Sequence, residues 1–161
     1  MEDIKGLGRF RSDFNNPRLN LRDFIKYKSD FDLAFAFCKL FFPDFVQAEG
    51  CVILAEAYDP VTFQDWKHRL HGRTQDLETT LNHTHIYDLF SESEENEDVS
   101  LEICDEIAKH IAKSWTNALK EAFPDKKFTV TLSTEPDDYG PTITFCQSSS
   151  ETCESGQFQD R

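Results

Sequence analysis

The residues best suited to chemistry in this chain lie between Gln75 and Phe90. Read as one helix, that segment puts Glu78, Asn82 and His85 at i, i+4 and i+7. They lie beside Leu81, Ile86 and Leu89, on the side that would face a core. A polar stripe in such a place must find hydrogen-bond partners. One reading is a structural network that fixes the helix against Glu56 or Tyr58. The other is the edge of an active site, with His85 as general base and Glu78 or Asp88 orienting it. A satisfied buried histidine is the commoner event, which favours the first.

Metal chemistry is a second reading of the same region. His83-x-His85 would place both imidazoles on one face of a strand, as a pair of ligands. On a helix the same spacing points them about 160° apart, and they could not share an ion. The flanking Asp76-Leu77-Glu78 and Asp88-Leu89-Phe90 favour the helix, although Thr79, Thr80 and Thr84 weaken it. His68 and His71, at i and i+3 on a preceding helix, could join one of His83 or His85 in a three-ligand site. With no H-E-x-x-H motif, the expectation is no metal, and His68 and His71 then share a solvated face with Lys67 and Arg69.

Nucleophilic and cofactor chemistry find little support. No G-x-S-x-G elbow is present, and Gly6-Leu7-Gly8 is too short for a dinucleotide loop and follows no strand. The five cysteines (Cys38, Cys51, Cys104, Cys146, Cys153) form no C-x-x-C pair, and the first three sit among apolar residues as small core groups. The expectation is no cofactor, in a reducing compartment.

Charge is the remaining clue, and it is lopsided. Residues 1–28 carry seven Lys/Arg against four Asp/Glu, a net of +3, while the rest of the chain carries −16, for a total of −13. Within the first segment Arg9, Arg11, Arg18 and Arg22 alternate with Phe10, Phe14 and Phe24, which interleaves charge with stacking surface. An acidic body would repel phosphates at Debye-length range, so nucleic acid is not the expected partner. The arm is expected to pack in part on the domain. The negative charge concentrates in two loops, 91–98 and 135–141. If those loops steer a basic protein partner into contact, the contact residues are Glu92, Glu94, Glu95, Glu97, Asp98, Asp137 and Asp138, with Tyr139 as aromatic anchor.

The elements that must position these groups follow from periodicity and punctuation. Ser29 opens a helix over 30–42 that is apolar on nearly every face, and Pro43 stops it. Residues 46–58 read as a strand with the continuous run Val52-Ile53-Leu54-Ala55. Asp59-Pro60 starts a helix that ends near Gly72, and Thr74 caps the helix over 75–90. Residues 100–123 keep a 3.6-residue period for six turns. Phe128–Ser133 and Thr142–Cys146 alternate as an antiparallel hairpin.

These readings give an α+β fold: a small antiparallel sheet of about three strands packed against four or five helices. The expected organisation is a basic, partly packed arm (1–28), a single α+β domain (29–147) and a disordered polar tail (148–161). The segment Met1–Phe10 lacks the apolar stretch of a signal peptide, and Phe31–Phe42 is too short to span a bilayer. A soluble cytoplasmic protein without membrane attachment is expected. The function that fits is a non-enzymatic binding or inhibitor-type (immunity-type) module for a basic partner. The alternatives are a metal-dependent or His/Glu acid–base enzyme built on the 68–88 helical hairpin, and a structural or regulatory subunit.

Overall fold

Residues 4–90, 101–134 and 140–148 are described by a computed structural model of the chain. Among them the chain forms six α-helices and two antiparallel sheets, one of two strands and one of three. The α+β class expected from the sequence is the class observed. No helix of the described residues is long and apolar enough to cross a membrane. The chain divides into two compact units, Met1–Leu40 and Phe41–Arg161.

The first unit holds α1 (Lys5–Asp13) and α2 (Leu21–Lys28), followed by most of α3 (Phe31–Phe41). Asn20 and Asp23 begin α2 with a reciprocal capping box. Helix α1 forms despite Gly6 and Gly8 within its first turns. Gly6 favours close packing: a Cβ there would lie 3.1 Å from the Phe24 ring, so any larger residue would push that ring back by a few tenths of an ångström. Phe10 is buried in the resulting ring cluster with Phe14, Phe24 and Tyr27, at centroid separations of 5.0 to 5.5 Å. Asp30, not Ser29, caps α3, since Asp30 Oδ1 accepts the Leu33 N–H at 2.8 Å. Its apolar composition predicts full burial, yet none of its residues is buried. A unit of forty residues has too little chain to enclose a helix that is apolar all round.

The second unit opens with a correction. The expected strand over 46–58 is a hairpin, β1 (Phe45–Ala48) and β2 (Cys51–Leu54), followed by a 3-10 turn over Ala55–Ala57. Glu49 and Gly50 form its two-residue loop with φ of 47° and 87°. Positive φ at both positions matches the twist of antiparallel strands, and Gly50 supplies the second at no steric cost. Glu49 is held there by Gln64 and Lys67 of α4 (Pro60–Arg69), which both donate to its carboxyl group.

Helix α4 starts as predicted, with the Asp59 side chain accepting the Thr62 N–H at 2.8 Å. Helix α5 (Thr74–Leu81) follows. Together they pack Phe63 and Leu77 against Cys51 and Ile53, with Tyr58, Trp66 and Leu70 around the edge. Helix α6 (Leu101–Ala122) realises the long periodic segment and lies against the three-stranded sheet. That sheet has the order β3-β5-β4, from β3 (Thr84–His85), β4 (Phe128–Ser133) and β5 (Thr142–Gln147). Phe145 sits at the centre of the second core. Its ring meets Phe45, Trp115 and Phe128 edge-on at 5.8 to 6.0 Å, and such pairs are worth about 0.5–1.5 kcal/mol each beyond the area they bury. Because β1 carries Phe45 into this cluster, the two faces of β2 are both covered, and all four of its residues are buried.

Candidate functional site

The single helix expected over 75–90 does not form. Helix α5 stops at Leu81, Asn82 is its C-cap, and the chain then runs extended through β3 into a 3-10 turn at Tyr87–Leu89. The cause is tertiary. Thr84 and His85 pair with Ile143 and Thr142 of β5, and the Ile86 N–H donates to the Pro141 carbonyl at 3.0 Å. Backbone pairing with an adjacent sheet edge outweighs the helical preference of Asp88-Leu89-Phe90, and Thr84 suits an extended chain. Glu78 and Asn82 therefore share a helix face, while His85 belongs to the sheet.

Glu78 and Asn82 are completely buried, and each is committed to backbone. Glu78 Oε1 accepts the Val52 N–H at 2.7 Å and the Gln147 side-chain amide at 2.5 Å, and its Oε2 accepts the Gln147 N–H at 2.6 Å. Asn82 Oδ1 accepts the Leu54 N–H at 2.9 Å, and Asn82 Nδ2 donates to the Val52 carbonyl at 3.0 Å and the Phe145 carbonyl at 3.2 Å. The side chains of α5 thus stand where a further strand would join β2 to β5. The two sheets have edges that face each other across this helix, and two residues one turn apart satisfy both. Gln147 extends the link, donating also to the Gly50 carbonyl of the hairpin loop at 2.8 Å. The network foreseen in the sequence is real, but its partners are strand backbone, not Glu56 or Tyr58.

This arrangement bears on what the polar stripe can do chemically. A general base needs a free lone pair within reach of a substrate proton. Glu78 has no exposure and three donors, and neither imidazole nitrogen of His85 bonds it or Asp88: Nδ1 is buried without a partner and Nε2 faces His83. Asp88 is exposed on the 3-10 turn. The Glu78–His85–Asp88 acid–base set is not assembled.

The extended chain does bring His83 and His85 together, as the strand form of the H-x-H spacing requires. Their Nε2 atoms lie 3.2 Å apart, with ring planes at 77°. Two ligands of one tetrahedral zinc would be separated by about 3.3 Å, so the pair has a chelating span. Ligation through Nε2 would leave the proton on the buried Nδ1 of His85, which has no acceptor to orient the ring as a ligand. His68 and His71 lie beside a surface depression with Gln64, Lys67 and Gly72, and His71 takes a left-handed φ of 54° after the helix end. Among the described residues no group of three or more His, Cys, Asp or Glu is placed to hold a metal.

The remaining titratable groups behave as structure. Hydrogen bonds from Lys67 and then Gln64 hold the Glu49 carboxyl below the usual carboxylate range, and the Thr62 N–H does the same for Asp59. Burial, reinforced by the charge of Glu78, pushes the Cys51 thiol up; burial and then Asp105 do so at Cys104. A raised thiol in an apolar site is a poor nucleophile. Mass mapping after brief alkylation of the native protein at neutral pH should therefore find Cys38, which is exposed and not the core group its apolar neighbours predict, labelled well before Cys51 and Cys104. Cys51 and Cys104 should react only once denaturant is added; equal rates at Cys51 and Cys38 would contradict their assignment to the core.

The expected partner-contact residues Glu92, Glu94, Glu95, Glu97, Asp98, Asp137, Asp138 and Tyr139 lie outside the described residues, as does the tail from 149 onward. Comparison with family models, with curated proteins and with solved structures finds nothing that this chain matches.

Proposed function

We propose that this chain is a non-enzymatic binding module whose acidic surface engages a basic protein partner. The observation that carries this reading is the fate of the polar stripe. Its most catalytic-looking residues, Glu78 and Asn82, are spent on backbone bonds inside the core, so they are fold determinants and not reagents. What remains distinctive is charge: between Phe41 and Arg161 there are twenty-four Asp/Glu against nine Lys/Arg. Potential of that size speeds encounter with a basic face and fixes its orientation. A cytoplasmic setting and the absence of membrane attachment belong to the same proposal.

The test compares the native chain with a variant in which Glu92, Glu94, Glu95, Glu97 and Asp98 are all replaced by Gln or Asn. Tagged capture from the source cell should recover a basic protein with the native chain at low salt. Recovery should fall steeply as salt rises and fall at all salts with the neutralised variant. Capture that is indifferent to both salt and these substitutions would overturn the reading.

A further inference from the structure

Strand β4 is the terminal strand of its sheet, and its outer edge is open among the described residues. The phase of the ladder says which backbone groups point outward. The Gln147 N–H and the Phe145 carbonyl turn away from β4, toward Glu78 and Asn82. Their register partners, Phe128 and Val130, are therefore in non-hydrogen-bonded pairs. By the two-residue period Leu132 is as well. Each of these three residues presents one N–H and one C=O to the outside.

A groove of about 290 Å³ runs beside this edge, between β4 and α6. Its floor is Leu119, Phe128 and Val130, and its rim carries Lys120, Lys126 and Lys127. No acidic side chain lines it. Three of the nine basic residues in a strongly acidic unit thus gather at one open strand edge. Among the described residues Lys120 and Lys127 make no ion pair, and Lys126 Nζ lies over the Phe123 ring and 3.4 Å from the Gly50 carbonyl.

We infer that this edge is a docking site for an extended acidic peptide segment of another protein, which adds as a further strand beside β4. The backbone bonds to Phe128, Val130 and Leu132 supply affinity, alternate apolar side chains enter the groove, and carboxylates on the segment meet the lysine rim. Charge complementarity selects an acidic occupant, since three lysines and no carboxylate line the groove. The proposal does not depend on the reading of the acidic loops.

The probe is a fluorescein-labelled heptapeptide of alternating Glu and Val, followed by anisotropy with the full chain. Binding should weaken about tenfold or more in Lys120→Glu/Lys127→Glu, since a reversed rim charge repels the carboxylates. A peptide of alternating Lys and Val should not bind. N-methylation of the probe backbone at every second residue gives two versions; one should lose binding and the other keep it, because only one phase of N–H groups meets the edge. Val130→Pro removes an outward N–H and leaves the β4–β5 ladder its donors, so it should abolish binding with the fold intact. If that variant fails to fold, the methylated probes decide alone. No binding of the acidic probe, or equal binding of both methylated forms, overturns the proposal. So does a stable dimer in light scattering that Val130→Pro dissociates, since the edge would then belong to a second copy.

Discussion

Replacing Asn82 by Ala should cost about 3–5 kcal/mol and lower the melting temperature by about 10 °C or more. Three buried backbone groups lose their partner at once: the Leu54 N–H and the carbonyls of Val52 and Phe145. Each such orphan costs about 1–3 kcal/mol, and the site is too dry for water to replace the amide. Asn82→Asp should be comparably damaging although it conserves shape. Its second oxygen would face two carbonyls, acceptor against acceptor. Thermal and urea unfolding of the two variants, beside an exposed control such as Gln75→Ala, measures this. A loss for Asn82→Ala no larger than the control's would mean that Asn82 does not hold the two strand edges together.

The second large effect is at Glu78. Glu78→Leu keeps most of the volume and leaves the N–H groups of Val52 and Gln147 and the Gln147 side-chain amide without an acceptor, for a loss of about 3 kcal/mol or more. Glu78→Gln retains one acceptor oxygen and turns a donor toward a donor, for a loss of about 1–3 kcal/mol. An acid–base residue would show the opposite pattern, with stability kept in Gln and only function lost. Because Val52 donates to Glu78 and accepts from Asn82, a double-mutant cycle between the two should be clearly non-additive. Additivity within experimental error would mean that the two side chains hold the β2 edge independently.

Much of this was legible in the residues. The six-turn period of α6, the Asp59-Pro60 start of α4 and the alternation of β4 and β5 each state a local preference that tertiary packing did not oppose. The requirement that Glu78 and Asn82 find partners was also readable, because an i, i+4 polar pair beside an apolar stripe has few other fates. Where the sequence misled, two local signals competed. At 75–90, helix-forming residues flank the β-branched threonines and the histidines, and only an adjacent free strand edge decides between them. At 46–58, the apolar run hid a turn whose signal was the single dipeptide Glu49-Gly50.

By itself, then, the sequence determined the class of fold, the long helix, the terminal hairpin and the lopsided charge, since each rests on composition or on contacts between near neighbours in the chain. The tertiary structure decided that Glu78 and Asn82 would bind strand edges 26 to 69 residues away, that His85 would leave the helix to join β5, and that three lysines would line one open edge. Those outcomes depend on which backbone groups are left unpaired after the strands have associated. No local pattern records that, because an unpaired edge is a property of the assembled sheet and not of any segment within it.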